Sequence, residues 1–276
     1  MPSITDQMTA LYVLVDDYLK AKPALRQWRR SPNASPAFTD AEVITIGLMQ
    51  GCLGVATLKH AYRLIADNFG SAFPYLPSYS QWLARLHALT AQVGHLIQHV
   101  IGPLDSCLYL MDSKPIPTCK PIRHGRARLL RDEGACFGKS TSGWFFGFKL
   151  HLMIHQNGTI LCGFLAPANV PDRDFAAALA WSVDGGSVLA DRAYQINELS
   201  DWLEEEADLL LITPKNCGES YRPLISSLRE RVETVFSQLC DRFVDRVRSR
   251  SFHGLWNTIK LKMLHYNVCQ TGLVTE

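Results

Sequence analysis

Residues 144–165 read Trp-Phe-Phe-Gly-Phe-Lys-Leu-His-Leu-Met-Ile-His-Gln-Asn-Gly-Thr-Ile-Leu-Cys-Gly-Phe-Leu, and this stretch decides the fold. From residue 144 to 154 apolar side chains alternate with others, so that Lys149 and His151 share the second face of a strand. Asn157-Gly158 is the strongest short signal for a hairpin turn, and residues 159–165 return as the partner strand. The stretch therefore predicts an antiparallel β-hairpin.

Apolar runs on both sides of the hairpin extend the predicted sheet. Residues 107–111 form a buried strand that Asp112 ends, and the polar, basic residues 113–142 have the composition of a long loop. The later elements follow in the order helix, strand, helix, strand, helix, helix, at about 174–181, 188–190, 196–206, 209–213, 224–239 and 255–267. This order predicts an α/β domain whose mixed sheet is flanked by helices.

Residues 1–103 have the pattern of a separate α-helical region. Thr39-Asp-Ala-Glu42 and Ser78-Tyr-Ser-Gln81 are capping boxes that stand ahead of apolar residues at helical spacing. Gly102-Pro103 closes the region. We therefore expect two parts, an N-terminal helical region over 1–103 and an α/β domain over 104–276.

Composition excludes several classes of protein. The 276 residues are 47% hydrophobic with a net charge of +2, and the eight cysteines form no C-x-x-C pair. There is no signal peptide and no apolar run of membrane-spanning length, so we expect a cytoplasmic protein without a membrane partner. The histidines form no zinc pattern, and no Gly-rich loop indicates nucleotide hydrolysis. Basic residues concentrate in 112–149 and 215–262, which suggests a polyanionic partner.

Two aspartates stand directly after apolar strands, Asp112 in Tyr-Leu-Met-Asp and Asp191 in Val-Leu-Ala-Asp. A carboxylate beside buried residues is costly unless a charge compensates it. Either residue alone is explained by a turn or capping role. Because a cation follows each of them, Lys114 and Arg192, a shared metal ion competes with that explanation for the pair.

A third carboxylate comes from the helix predicted at 224–239. Its apolar stripe places Glu230 on the solvated side, whereas Glu233 lies at the border of the stripe, where we expect partial burial. An ordinary surface ion pair between Arg229 and Glu233 is the alternative interpretation. Three convergent carboxylates are what two-metal phosphoryl transfer needs, and oxygen ligands suit Mg²⁺ or Mn²⁺.

At these motifs the chain resembles the bacterial insertion-sequence transposases, which carry a DDE triad on an RNase H-like catalytic domain. The resemblance covers about residues 36–272 and rests on four motifs in order: Leu-Met-Asp112-Ser-Lys-Pro-Ile-Pro, Gly-Phe-Lys149-Leu-His151, Leu-Ala-Asp191-Arg-Ala-Tyr194 and Arg229-Glu-Arg-Val-Glu233-Thr-Val-Phe-Ser. It implies that Asp112, Asp191 and Glu233 bind the metal, most simply two Mg²⁺ or Mn²⁺ ions. Many relatives have a Tyr three residues before the Arg and a Lys or Arg seven after the Glu. Here Ser226 and Cys240 occupy those positions, with Arg242 two residues late.

The resemblance also implies DNA as the partner, both the terminal repeats of the element and the target, bound by a homo-oligomer. The candidate DNA-binding residues are Lys114, Arg123, Arg126, Arg128, Arg131, Lys149, His151, Arg192, Arg229 and Arg242. The alternatives are a solvated loop around residues 123–131, an exposed polar strand face at Lys149 and His151, and a charged helix surface near Arg242. Asp172 and Asp174 are interpreted as helix caps.

We therefore expect a transposase that cleaves DNA at the ends of an insertion sequence and joins those ends to a target. The helical region 1–103 is expected to bind the element's end or another protomer. Two other functions stay open: a metal-dependent nuclease of the same fold, and a non-catalytic DNA-binding protein derived from a transposase.

Overall fold

A mixed sheet built around the predicted hairpin organises the second part of the chain. In the computed structural model, which describes residues 2–26, 36–126, 129–141, 143–219 and 222–275, the strands are β1 (Leu108–Cys119), β2 (Cys136–Ser140), β3 (Gly143–His155), β4 (Ile160–Pro167), β5 (Gly186–Leu189) and β6 (Leu209–Ile212). The helices are α1 (Ile4–Ala21), α2 (Pro23–Arg26), α3 (Asp40–Cys52), α4 (Leu58–Phe69), α5 (Tyr79–Ala88), α6 (Thr90–Val100), α7 (Ala176–Ala180), α8 (Asn197–Ala207), α9 (Arg222–Asp241) and α10 (Phe252–Gln270).

The sheet has the order β2-β3-β1-β5-β6, and β4 also pairs with β3. The hairpin is confirmed, because β3 and β4 are antiparallel with Leu150 opposite Leu165. β1 is antiparallel to β3 but parallel to β5, and β5 is parallel to β6. A mixed sheet of this kind, with helices against it, confirms the predicted α/β fold.

Two parts of the region predicted as a loop are strand instead. β1 does not end at Asp112 but continues to Cys119, paired with β3 along its length, and residues 136–140 form β2. Prolines 115 and 117 concealed this strand in the sequence. Beyond Leu110, β1 pairs only with β3 among the described strands, and a strand edge tolerates prolines because no partner there needs their missing N–H.

The two faces of β1 pack against different helices. Tyr109 and Met111 belong to a core cluster that includes residues of α7 and α8. Lys114, on the alternate face, has its Nζ 5.9 Å from the ring of Phe236 on α9. The apolar stripe of α9 is buried, as its helical spacing predicted: Val232, Val235, Phe236 and Leu239.

The short helix α7 differs from its prediction. It begins at Ala176 rather than near Asp174, and Phe175 at its N-cap position makes no side-chain cap. Neither Asp172 nor Asp174 therefore caps it, because the chain first makes a 3₁₀ turn over Asp172–Phe175.

The chain divides into two compact units. The first contains residues 1–100, 247–249 and 253–276, and the second contains 101–246 and 250–252. Both predicted capping boxes are present in the first unit, at the starts of α3 and α5. The terminal helix α10 joins this unit, where the Asn257 side chain donates to the Leu86 carbonyl, although the sequence division had grouped it with the α/β domain. No helix in the described ranges has the length and apolar character needed to cross a membrane.

Candidate active site

Asp112 and Asp191 lie beside each other because their strands are in register. β1 and β5 run parallel with Leu110 opposite Leu189, and each aspartate follows two residues later. The carboxyl ends of neighbouring parallel strands thus bring the two acids to the same edge of the paired region. The two charges interact, since Asp191 raises the pKa of Asp112.

Asp112 is a carboxyl group in an unfavourable environment for a charge. Burial, supported by the neighbouring charges of Asp191 and Asp172, raises its pKa to about 6. The backbone N–H of Ser113 donates to its Oδ1 at 2.7 Å, and Arg229 also opposes the shift. These favourable contacts do not outweigh burial, so the carboxylate form lacks compensating positive charge.

Asp191 is more accessible and already has a cationic neighbour. Its side chain is 45% exposed, and its Oδ1 lies 3.4 Å from Nη2 of Arg229 on α9. The same oxygen accepts from the backbone N–H of Arg192 at 2.5 Å, while the Arg192 side chain itself is exposed. The sequence alternative of an Arg229–Glu233 pair is not what the structure records for Arg229, whose partner is Asp191.

Glu233 lies on the helix face that crosses this site. Arg229, Glu233 and Phe236 are spaced by four and three residues and therefore share one side of α9. Arg229 contacts Asp191, and Phe236 lies beside Lys114, two residues after Asp112. The expected partial burial of Glu233 is wrong, because its side chain is exposed, as is that of Glu230. In the described part of the chain, no three His, Cys, Asp or Glu side chains are close enough to hold a metal ion as they stand.

Asp172 is an acid of this neighbourhood whose role the sequence did not reveal. Its Oδ1 accepts from Nζ of Lys149 at 2.5 Å, in a pair whose side chains are 14% and 24% exposed for Lys149 and Asp172. The motif around Lys149 was visible, but the partner lies on a different element. Lys149 is thus committed to an ion pair rather than extended toward solvent.

The burial of His151 argues against the expected DNA contact. Its ring is fully buried and stacks on Phe175 at 4.8 Å between centroids, so it is not on an exposed polar face. Burial lowers its pKa to about 4, which keeps the imidazole neutral. Neither ring nitrogen has a hydrogen-bond partner in the described residues.

Tyr194 follows Asp191 by three residues and belongs to the apolar core. Its side chain is fully buried in the cluster between the sheet and helices α7 and α8. Burial, together with the charges of Asp172, Asp112 and Asp191, raises its pKa well above the usual tyrosine value. Its hydroxyl also has no hydrogen-bond partner among the residues that the structure describes.

The remaining basic candidate residues differ in whether they are exposed or held by contacts. Arg123 and Arg126 are exposed, and Arg128 lies outside the described residues. Arg131 is anchored, since its guanidinium donates to the His124 carbonyl and lies 5.9 Å from the Phe146 ring. Arg242 is partly buried at the end of α9 and donates to the Gln238 carbonyl at 2.8 Å.

Comparison with known proteins gives one family. The transposase DDE domain family matches residues 104–252. A solved structure, the piggyBac transposase synaptic complex with hairpin DNA, is similar over 100% of this chain and 77% of that chain, with 11% identity and a TM-score of 0.43. That likeness is too weak to identify anything. No curated protein matches the sequence.

Proposed function

Because this chain belongs to the transposase DDE domain family, we propose that Asp112, Asp191 and Glu233 are its metal-binding carboxylates. The chain is a transposase, and we infer that it cleaves DNA at the ends of an insertion sequence and transfers the freed ends to a target. The observation that supports this assignment best is the contact between Arg229 and Asp191. It brings Arg229 of α9 beside the strand ends, and Glu233 lies one turn further along the same helix face.

The residues present fit a divalent cation. Asp112 is a carboxyl group whose charge burial disfavours, and a cation would restore the charged form. Mg²⁺ is commonly held by one or two protein carboxylates with water and substrate phosphates completing its shell. Asp112 and Asp191 supply such a pair, and the exposed side chain of Glu233 can turn toward them. When bound, two such ions activate the attacking oxygen and stabilise the leaving one.

The protein's own residues would hold the DNA strand against these acids. Lys114 and Arg229 flank the carboxylates and can pair with the phosphate groups on either side of the cleaved bond. Arg192, Arg242 and the arginines at 123, 126, 128 and 131 would contact phosphates further away. Lys149 would act through Asp172, keeping that carboxylate paired and oriented.

Transposition joins two element ends to one target, and this suggests the larger assembly. We infer that the chain works as a homo-oligomer on DNA, with terminal repeats and target as its partners. The region over 1–103 would bind an element end or another protomer, with residues 104–276 as the catalytic part. The family match over residues 104–252 supports the second assignment, and the compact unit that contains residues 1–100 together with 253–276 supports a separate helical body.

Matched variants test the assignment. Purified protein with labelled element ends, a target plasmid and Mn²⁺ should give nicked and joined products. Asp112→Asn, Asp191→Asn and Glu233→Gln should each abolish both products while DNA binding is kept or strengthened, because a negative charge near phosphate is removed. Glu230→Gln, on the same helix and also exposed, is the control and should remain active. Retained cleavage by Asp191→Asn would falsify the triad.

The product pattern separates the alternatives. Nicking without joining, under conditions in which the protein is saturated with target, would indicate a metal-dependent nuclease. Specific binding of the ends without any cleavage by the unaltered chain would indicate a non-catalytic derivative.

A further inference from the structure

Tyr194 combines two features that rarely occur together. Its side chain has 0% relative exposure, and its hydroxyl has no hydrogen-bond partner in the described residues. A buried hydroxyl without a partner lowers stability, so a native protein that keeps one needs a reason for it. Phenylalanine would fill the same space without that cost.

Tyr194 lies one 3₁₀ turn after Asp191, and its backbone N–H donates to the Asp191 carbonyl at 3.0 Å. Its body packs among Tyr109, Met111 and Ala190, whereas three carboxylates, Asp172, Asp112 and Asp191, act on its ionisation. Toward a carboxylate, which only accepts hydrogen bonds, a neutral phenol acts as a donor. Lys149 already donates to Asp172 and Arg229 pairs with Asp191, whereas Asp112 accepts from the backbone N–H of Ser113. A further donor near the two strand-end aspartates would stabilise their charged forms.

We propose that Tyr194 is a positioning residue of the cation site, donating a hydrogen bond to the carboxylate shell that Asp112 and Asp191 form around a divalent cation. Such outer contacts fix the orientation of metal-binding carboxylates and raise metal affinity. The hydroxyl is held ready by the apolar core and acquires its partner when the carboxylates turn toward the cation. This inference rests on the proposed function, because it takes the two aspartates as cation ligands.

We expect Tyr194→Phe to preserve the melting temperature but to weaken Mn²⁺ binding. Without divalent cations, the melting temperature of the variant should equal that of the unaltered chain or exceed it, since the hydroxyl removed has no partner. The dissociation constant for Mn²⁺, measured by the electron paramagnetic resonance signal of free Mn²⁺, should rise about tenfold. A hydroxyl with a purely structural role would lower the melting temperature and leave Mn²⁺ binding alone.

Tyr62→Phe is the matched control. The Tyr62 hydroxyl donates to the Pro77 carbonyl in the first unit, so its loss should lower the melting temperature without changing Mn²⁺ affinity. Asp112→Asn tests the cation site itself and so distinguishes a failure of that site from a failure of the role of Tyr194. If Mn²⁺ binding depends on Asp112 but Tyr194→Phe binds as tightly as the unaltered chain, only the role of Tyr194 is overturned. If Mn²⁺ binding does not depend on Asp112, both the role of Tyr194 and the proposed cation site are overturned.

An independent observation concerns the ribbon formed by β2 and β3. Lys139 pairs with Trp144 and Phe137 with Phe146, so these four side chains share one face. The His124 ring lies 4.6 Å from that of Phe137, and Arg131 lies over Phe146. We call these six residues the aromatic–basic face. Trp144 is 64% exposed on it, which is a large apolar surface to leave in water.

We further propose that the aromatic–basic face binds an unpaired DNA strand, with a base stacked on Trp144 and neighbouring phosphates paired with Lys139 and the nearby arginines. Aromatic rings beside cations are the combination that recognises single strands, because every base offers a flat face and every nucleotide a negative charge. In an intact duplex the base faces are occupied by their neighbours, so the face favours strands opened near a cleavage point. This also rests on DNA as the partner.

The chain offers a control, Trp181, which is 68% exposed but lies at the end of α7 against Trp202 rather than on the ribbon. Trp144→Ala should weaken binding of a labelled dT oligonucleotide by about tenfold, and Trp144→Phe by less, because one stacked base is lost. Trp181→Ala should bind the oligonucleotide normally, and none of the three should lose duplex affinity by more than about twofold.

Two outcomes would overturn this proposal. One is equal oligonucleotide binding by Trp144→Ala and the unaltered chain. The other is a protein that self-associates through Trp144, shown by a fall in oligomer mass in the variant without any change in oligonucleotide affinity. Because duplex cleavage does not enter either measurement, the proposed catalytic assignment is tested separately.

Discussion

Arg229 on α9 lies 3.4 Å from Asp191 at the end of β5, an ion pair that connects a helix to a strand 38 positions earlier in the numbering. Both side chains are substantially exposed, so the pair contributes little to folding. Its position matters more than its energy. It joins the face of α9 that carries Arg229 and Glu233 to the end of β5.

Arg229→Gln should therefore affect activity far more than stability. We expect the free energy of unfolding to change by less than about 1 kcal/mol. End cleavage should fall at least tenfold, because the helix face and a phosphate contact are both perturbed. Chemical denaturation and a cleavage assay measure the two effects. Arg231→Gln, an exposed arginine two residues along the same helix, should leave both unchanged.

The pKa of Asp112 predicts how stability depends on pH in the absence of divalent cations. Its folded pKa is raised from 3.8 to about 6, so the folded state binds the proton more tightly than the unfolded state. The resulting stabilisation is complete below pH 3.8 and is lost as pH rises through about 6, a difference of roughly 3 kcal/mol.

Asp112→Asn removes this titration. In EDTA the variant should be more stable than the unaltered chain at pH 8, and the difference should disappear near pH 4. Added Mg²⁺ should stabilise the unaltered chain at pH 8 but not the variant. Parallel pH profiles for the two proteins in EDTA would contradict the raised pKa of this half-buried carboxyl group.

The Lys149–Asp172 pair is more buried than the Arg229 pair and should behave differently. Lys149→Met leaves Asp172 without its cation and still repelled by Asp112, so we expect a loss of roughly 1–3 kcal/mol of stability. Asp172→Asn in the same chain should restore part of that loss, because the uncompensated charge is gone. A double-mutant cycle by chemical denaturation measures the coupling; additive effects would mean that the ion pair contributes nothing.

The basic segment before β2 predicts a salt effect. Replacing Arg123, Arg126 and Arg128 by Ala should weaken DNA binding across all sequences. It should also flatten the log–log salt dependence by about two to three units, at roughly 0.9 per phosphate contact. Stability should hardly change, since the side chains of Arg123 and Arg126 are exposed. Arg173→Ala serves as the control. An unchanged salt slope in the triple variant would leave a solvated loop as the better description.

Much of the fold was predictable because it depends on local patterns. Alternation and Asn157-Gly158 specify the β3–β4 hairpin, and side chains that cap their own helices specify the starts of α3 and α5. The extension of β1 and the whole of β2 were not predictable in this way. Prolines and glycines in 113–142 have loop propensities, and pairing with β3 overrides them.

The candidate site shows the same difference between local sequence patterns and long-range contacts. The sequence by itself determined that Asp112 and Asp191 follow apolar strands and that Glu233 shares a helix face with Arg229, since strand and helix periods fix these relations within a few residues. Only the tertiary structure decided that Arg229 pairs with Asp191 and that Lys149 pairs with Asp172 rather than facing solvent. It also decided that His151 and Tyr194 are buried with polar atoms that have no partner among the described residues. Those relations join elements far apart in the chain, and strand register and core packing set them, which no local pattern encodes.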